Sequence, residues 1–187
     1  MNDDDLAWRL GARHPGHDYK VFKTSFVDGE YPQKGLAKRF SLIEAVDWVN
    51  VIALTPDDQV VLIKQYRVGT AKVCLEIPGG MVDEGEDAAT AAARELAEET
   101  GYTAKRWRRL GVAAPNPAIQ NNTLHTYLAL DAERTQEQRL EGSEVVSVAT
   151  VPLAKVTELL RRGAIDHALV ITAFGHLAFT LGELRRP

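Results

Sequence analysis

Between Gly80 and Tyr102 the chain reads GMVDEGEDAATAAARELAEETGY, where seven carboxylates stand against a single base, Arg94. This stretch constrains the fold more than any other, because it joins a glycine-rich loop to helix formers from Asp87 to Thr100 that Gly101 is placed to end. At roughly 100° per residue, Ala89, Ala92, Ala93, Leu96 and Thr100 share a face suited to packing on a sheet. Glu95, Glu98 and Glu99, spaced i, i+3 and i+4, gather on the other side. Carboxylates about 5–6 Å apart repel by under about 1 kcal/mol per pair in water but by roughly 3 kcal/mol at an effective dielectric near 20. On a solvated face, the commoner case for such spacing, that cost is trivial; in a cleft it demands a cation.

The neighbouring residues sharpen the choice. Gly80, Glu86, Arg94, Glu95, Leu96, Glu98, Glu99, Gly101 and Tyr102 are nine fixed positions in 23 residues, and together they resemble the signature of the Nudix hydrolases. Every polar position of that signature is in place. Tyr102 stands where the family usually has an aliphatic residue, a packing position that leaves the chemistry intact. The resemblance extends more loosely from about Val49 to the C-terminus. It implies an α/β/α sandwich with a mixed sheet, plus a small strand-rich extension over residues 1–47 ahead of a Nudix domain over residues 48–187.

The rest of the chain bounds the possibilities. A length of 187 residues fits one domain with a small extension, and 45% hydrophobic with 26% charged residues is ordinary for a globular protein. A net charge of −4 argues against a general nucleic-acid binder. The run Lys105, Arg106, Arg108 and Arg109 reads as a solvated strand end. Cys74, the one cysteine, lies in an apolar segment and is expected buried and inert. The acidic start MNDDDLAWRL has no apolar h-region, and no run of 18 apolar residues occurs. A cytoplasmic enzyme is the expectation.

Two strands are expected in the extension, around Tyr19–Val27 and Arg39–Asp47, separated by the turn-rich GEYPQKG. In Nudix enzymes of the ADP-ribose type a comparable segment packs on a second subunit, so the resemblance implies a homodimer; a flap on its own monomer is the rival reading. VNVIALT and QVVLIKQYR read as a hairpin turned by Pro56-Asp57-Asp58, and VCLEIP delivers the chain to Gly79-Gly80. Strands follow near Trp107–Ala113, in LHTYLAL and in VVSVATV, with a polar connection, DAERTQEQRLEGSE, between the last two. Helices Leu153–Arg162 and Ile165–Leu184 close the chain, the second with an apolar stripe at Leu169, Ala173, Leu177 and Leu181.

Carboxylate oxygens suit Mg²⁺, with Mn²⁺ as the alternative, and no His or Cys cluster near the helix offers a zinc site. The resemblance implies that Glu95, Glu98 and Glu99 hold the metal with the Gly79 carbonyl, and that Glu86 and Arg94 form an ion pair fixing loop to helix. It implies hydrolysis of a diphosphate, with Glu98 and Glu99 catalytic and a general base from a later loop. Glu141 and Glu144, in LEGSEVV, are the candidates, Glu141 preferred.

Substrate choice falls outside the signature. Pro117, sixteen residues after Gly101, marks the ADP-ribose and nucleotide-sugar groups, and QYR and LEIPGG resemble them too. That resemblance places Arg67 on a substrate phosphate and Glu76 at the substrate end of its strand. NPAIQNN replaces the Ser-Pro-Gly sequence common in those groups and broadens the assignment to nucleoside diphosphate sugars generally. Trp48 either stacks a nucleobase or packs in the core, and His125 reads as structural. The rivals are hydrolysis of oxidised nucleoside triphosphates or dinucleoside polyphosphates, and a sensor that binds a nucleotide sugar without turnover.

Overall fold

The computed structural model describes residues 3–142 and 144–184. It divides into two compact units, residues 1–46 with 114–123, and residues 47–113 with 124–187.

The first unit is an antiparallel sheet of β1 (Arg9–Asp18), β2 (Lys23–Tyr31) and β3 (Leu36–Glu44). Three strands stand where two are read from the sequence. β1, RLGARHPGHD, is exposed along nearly its whole length and has no alternation to betray it, and its pairing with β2 slips twice. β2 runs on through Gly29-Glu30-Tyr31, so the turn is confined to Pro32–Gly35, where Gly35 takes φ 60. The segment 114–123 joins this unit through Ile43 N–H to the Ile119 carbonyl at 2.7 Å and Ala45 N–H to Asn121 Oδ1 at 3.2 Å.

The second unit is built on a mixed sheet. Its strands are β4 (Trp48–Leu54), β5 (Gln59–Arg67), β6 (Lys72–Glu76) and β7 (Gly79–Met81), then, beyond helix α1 (Ala88–Thr100) and the short β8 (Tyr102–Thr103), β9 (Arg106–Ala113) and β10 (Leu124–Leu130). After β11 (Glu133–Arg134) come β12 (Val146–Pro152), α2 (Leu153–Arg161) and α3 (Ala168–Leu184). The order is β12-β5-β4-β10-β9, with β6 on β5 and β7 on β4. β4 and β10 are parallel and the other pairs antiparallel.

The two faces of β4 separate the core. Val49, Val51 and Ala53 pack with Ala91, Ala92 and Leu96 of α1. Ile52 and Leu54 pack with Val156, Val170, Ala173, Phe174 and Leu177 of the closing helices. This alternation follows from the period of two along a strand, and it produces the α/β/α sandwich. Burial of Ala173 and Leu177 agrees with the stripe read from sequence; Leu169 is only half-buried, its place taken by Val170 and Phe174, and the Leu181 side chain lies outside those described. α3 begins at Ala168 rather than Ile165, and the polar connection contains β11, which pairs with β8 at Tyr102. Cys74 is buried, and His125 Nε2 meets Asp47 Oδ2 at 3.1 Å. No described helix is long and apolar enough to cross a membrane.

Candidate active site

Local chemistry sets α1 firmly. Asp87, extended at φ −85 and ψ 152, caps the helix by accepting from the N–H groups of Ala89 and Thr90. Gly101 ends it in the left-handed region at φ 74 and donates its N–H to the Ala97 carbonyl. The buried face differs from the one read from spacing: Ala91, Ala92, Leu96, Glu99 and Thr100 are inside, whereas Ala89 and Ala93 are exposed. The acids therefore flank the packed face instead of opposing it, and Glu99 is 4% exposed.

Arg94 organises the remaining acids. Its Nε and Nη2 donate to the two Glu86 oxygens at 3.1 and 2.9 Å, its Nη1 to Glu95 at 2.8 Å and Glu98 at 3.1 Å, and Nη2 also to the Met81 carbonyl at 3.0 Å. The pairing with Arg94 draws the Glu86 carboxyl below its ordinary range and raises the guanidinium. One guanidinium thus ties the loop after β7 to the helix and orients two of the three candidate ligands.

Gly79 and Gly80, expected in a loop, form β7 and pair with Asn50 and Val49. The Gly79 N–H donates to Glu99 Oε2 at 2.8 Å. A Cβ on Gly80 would run into the Glu95 carboxylate, so glycine is what lets this carboxylate lie against the strand. Burial pushes the Glu99 carboxyl up to about 8, against the lowering effect of the Gly79 N–H, and burial also raises Glu95.

The donor set fits a hard divalent cation. Glu95 and Glu99 are carboxylates whose charge burial opposes, and a cation beside them supplies the stabilisation that solvent does not. Among the described residues no three such groups already converge on one point; Arg94 holds Glu95 and Glu98, and Gly79 holds Glu99.

A cavity of about 290 Å³ opens beside β7, lined by Trp48, Asn50, Arg67, Glu76, Gly79 and His167 among others. The pair read from the sequence as substrate contacts is itself a bidentate ion pair: Arg67 Nε and Nη2 donate to the Glu76 oxygens at 2.8 and 2.7 Å. Glu76 is nearly fully buried, and Arg67 is held charged by it. Trp48 is half-buried and lines the cavity. Pro117 is exposed in segment 114–123 of the first unit.

Glu141 and Glu144 are exposed on the loop before β12, joined by the Glu144 N–H to the Glu141 carbonyl at 3.0 Å. The charge of Glu144 contributes to raising both Glu95 and Glu99. Two further cavity residues, Asn50 and His167, escaped the reading from sequence. Asn50 alone left a signal, as the single polar side chain inside the apolar run VNVIAL.

Residues 46–174 match the model of the NUDIX domain. The chain belongs to that family and is a Nudix hydrolase, an enzyme acting on pyrophosphate bonds. It is 30% identical to an ADP-ribose pyrophosphatase of Bacillus subtilis (strain 168), over 84% of this chain and 85% of that protein. It is 29% identical, over the same shares, to a methanol dehydrogenase activator of Bacillus methanolicus. A crystal structure of an ADP compounds hydrolase superimposes with a TM-score of 0.80 at 24% identity, covering 96% of this chain and 97% of that one, and shows the same fold.

Proposed function

We propose that this enzyme hydrolyses the diphosphate bond of ADP-ribose or a related nucleoside diphosphate sugar, with Mg²⁺ or Mn²⁺, giving a nucleoside monophosphate and a sugar phosphate. The observation that carries this reading is the set of Glu95 and Glu98, held by Arg94, and Glu99, held by the Gly79 N–H, next to a cavity of a size for one sugar ring or base. The ADP-ribose pyrophosphatase among its relatives supports the substrate class.

In this reading Glu95, Glu98 and Glu99, with the Gly79 carbonyl, would hold the cation. When bound, it neutralises diphosphate charge and makes water a better nucleophile. Arg94 keeps Glu95 and Glu98 in place, and Glu86 keeps Arg94 in place. The water oxygen bonds to phosphorus, the bridging P–O bond breaks, and the leaving phosphate keeps the bridging oxygen. The proton released by the water goes to a loop carboxylate. Glu144, whose charge reaches Glu95 and Glu99, is taken as that base, with Glu141 beside it on the same loop as the alternative. Arg67, already neutralised by Glu76, offers its remaining N–H groups to the ligand in the cavity.

The three-stranded sheet of residues 9–44 exposes Leu10, Phe26 and Leu36, and we read it as the surface on which a second copy docks. Incubation with ADP-ribose after exhaustive chelation, followed by addition of Mg²⁺ or Mn²⁺, tests the activity. AMP and ribose 5-phosphate should form only after metal addition. Release of inorganic pyrophosphate from nucleoside triphosphates, with ADP-ribose untouched, would overturn the substrate assignment.

A further inference from the structure

Where α1 runs out of N–H donors of its own, the connection after β11 supplies them. The Arg139 N–H donates to the Glu98 carbonyl at 2.9 Å, and the Thr135 and Gln136 N–H groups donate to the Gly101 carbonyl at 3.0 and 3.3 Å. Gln138 Nε2 donates to the Glu99 carbonyl at 2.5 Å and, over a longer 3.4 Å, to the Val146 carbonyl. A flipped amide would set its oxygen against two carbonyl oxygens, so the orientation is fixed. Gln136, Gln138 and Leu140 are half-buried while Glu137 and Arg139 are exposed, the period of an extended chain lying on the helix end.

Two of these bonds fall on the main chain of the acids assigned to the cation, Glu98 and Glu99. Gln138 does more than cap them. It stands where the chain leaves α1, and its amide also reaches Val146, where β12 begins and pairs with Gln65 of β5. Glu141 and Glu144 lie between these two points. One side chain therefore gathers both ends of their loop onto the residue whose carboxylate is the most buried of the three candidate ligands. Satisfying a helix carbonyl requires no bond to the far end of a loop, and Gln138 makes one.

We propose that Gln138 is a positioning residue for the general base: its amide fastens the loop of Glu141 and Glu144 to the main chain of Glu99 and so sets where the base stands relative to the cation site. The inference rests on the reading above, in which Glu95, Glu98 and Glu99 hold the cation and a loop carboxylate takes the proton from water. Gln138 touches neither substrate nor cation in this role. It acts through the loop.

The test uses Gln138→Met, which conserves length and removes both donors, in the parent background and in a protein carrying Glu141→Gln and Glu144→Gln. For each, kcat and KM for ADP-ribose with Mg²⁺ and the affinity for Mn²⁺ are measured, with melting curves to establish folding. In the parent background Gln138→Met should lower kcat by about tenfold or more, with KM and Mn²⁺ affinity unchanged. In the background without the two carboxylates it should cost almost nothing further, because residues acting through one group are not additive. Hydrogen exchange of the metal-free protein should be faster across residues 139–145 in Gln138→Met and unchanged in α1. Should Gln138→Met not fold, Gln138→Asn, one methylene too short to reach both carbonyls, serves in its place. Equal losses of kcat in both backgrounds, a weakened Mn²⁺ affinity, or a parental kcat in the folded variant would overturn the proposal. A parental kcat in the protein lacking both loop carboxylates would overturn the base assignment, and the role of Gln138 with it. A parent protein inactive on every nucleoside diphosphate sugar would instead overturn the substrate reading, and with it a part for Gln138 in that reaction.

Discussion

The Gly79 N–H donates to the Glu99 carboxylate across 2.8 Å, joining the strand that delivers the chain to the site with the helix that carries its acids. The bond is charge-assisted, and it is formed by a side chain that burial alone would rather keep protonated. Glu99 is therefore positioned by the backbone and left in want of positive charge, a combination that suits a cation ligand better than a packing residue.

Replacement Glu99→Gln separates these roles. The amide oxygen can still accept from Gly79, while the charge is lost and with it the affinity for a cation. Turnover of ADP-ribose should fall by about 10²-fold or more, and the melting temperature should stay level or rise, since burying a neutral amide costs less than burying a carboxylate. A variant with parental kcat would show that Glu99 does not hold the cation.

Two glycines of the signature should respond differently to alanine. At Gly80 the new methyl meets the end of the flexible Glu95 side chain, which can swing away, so Gly80→Ala should fold with little change in melting temperature yet lose activity by about tenfold or more through a displaced ligand. At Gly101 the backbone is left-handed, and the methyl meets the Gln136 carbonyl, which is main chain. Gly101→Ala should lose at least about 2 kcal/mol of stability in urea titrations. Equal stabilities for the two proteins would contradict this account.

The Arg67–Glu76 pair predicts an asymmetry. Arg67→Ala leaves the Glu76 carboxylate buried without its guanidinium, at a cost of about 2–4 kcal/mol, somewhat below that of a fully buried pair because Arg67 is 40% exposed. Arg67→Ala combined with Glu76→Leu removes the stranded charge and should be more stable than Arg67→Ala alone. Denaturant titrations of the parent, the two single variants Arg67→Ala and Glu76→Leu, and the double variant measure the coupling; strictly additive losses would mean that the pair contributes nothing.

How far the sequence discloses the molecule depends on what each feature needs. The helix from Asp87 to Thr100 is local chemistry, a cap and a left-handed glycine, and it is legible. So are β4 and β5, whose β-branched runs mark buried strands. β1 is not, because nine of its ten residues are exposed and it is held by pairing to β2 rather than by any apolar pattern of its own. The rotation of the buried face towards Glu99 is also hidden, since alanine is compatible with either side of a helix and only the docking on β4 decides between Ala89 and Ala91. The Arg67–Glu76 pair joins residues nine positions apart through the β5–β6 pairing, and a resemblance that assigns each separately to substrate does not show that they bind each other.

The last prediction concerns acid stability of the N-terminal sheet. Asp28 accepts from Arg39 at 2.7 and 3.0 Å and contacts His14 at 3.0 Å. The Arg39 hydrogen bonds foremost, then His14, hold its carboxyl down at about 2 from an ordinary 3.8. The folded state thus binds this proton less readily than the unfolded state. The contribution to stability is complete above about pH 4, shrinks as pH falls between about 4 and 2, and is gone below both values. Asp28→Asn lacks it at every pH. The stability difference between parent and variant, followed by urea titration from pH 5 towards pH 2, should be constant at the upper end and narrow towards the lower. It should also shrink in 1 M NaCl, because the groups are exposed and screened. A difference that holds constant through this window would show that the Asp28–Arg39 contact does not act through charge.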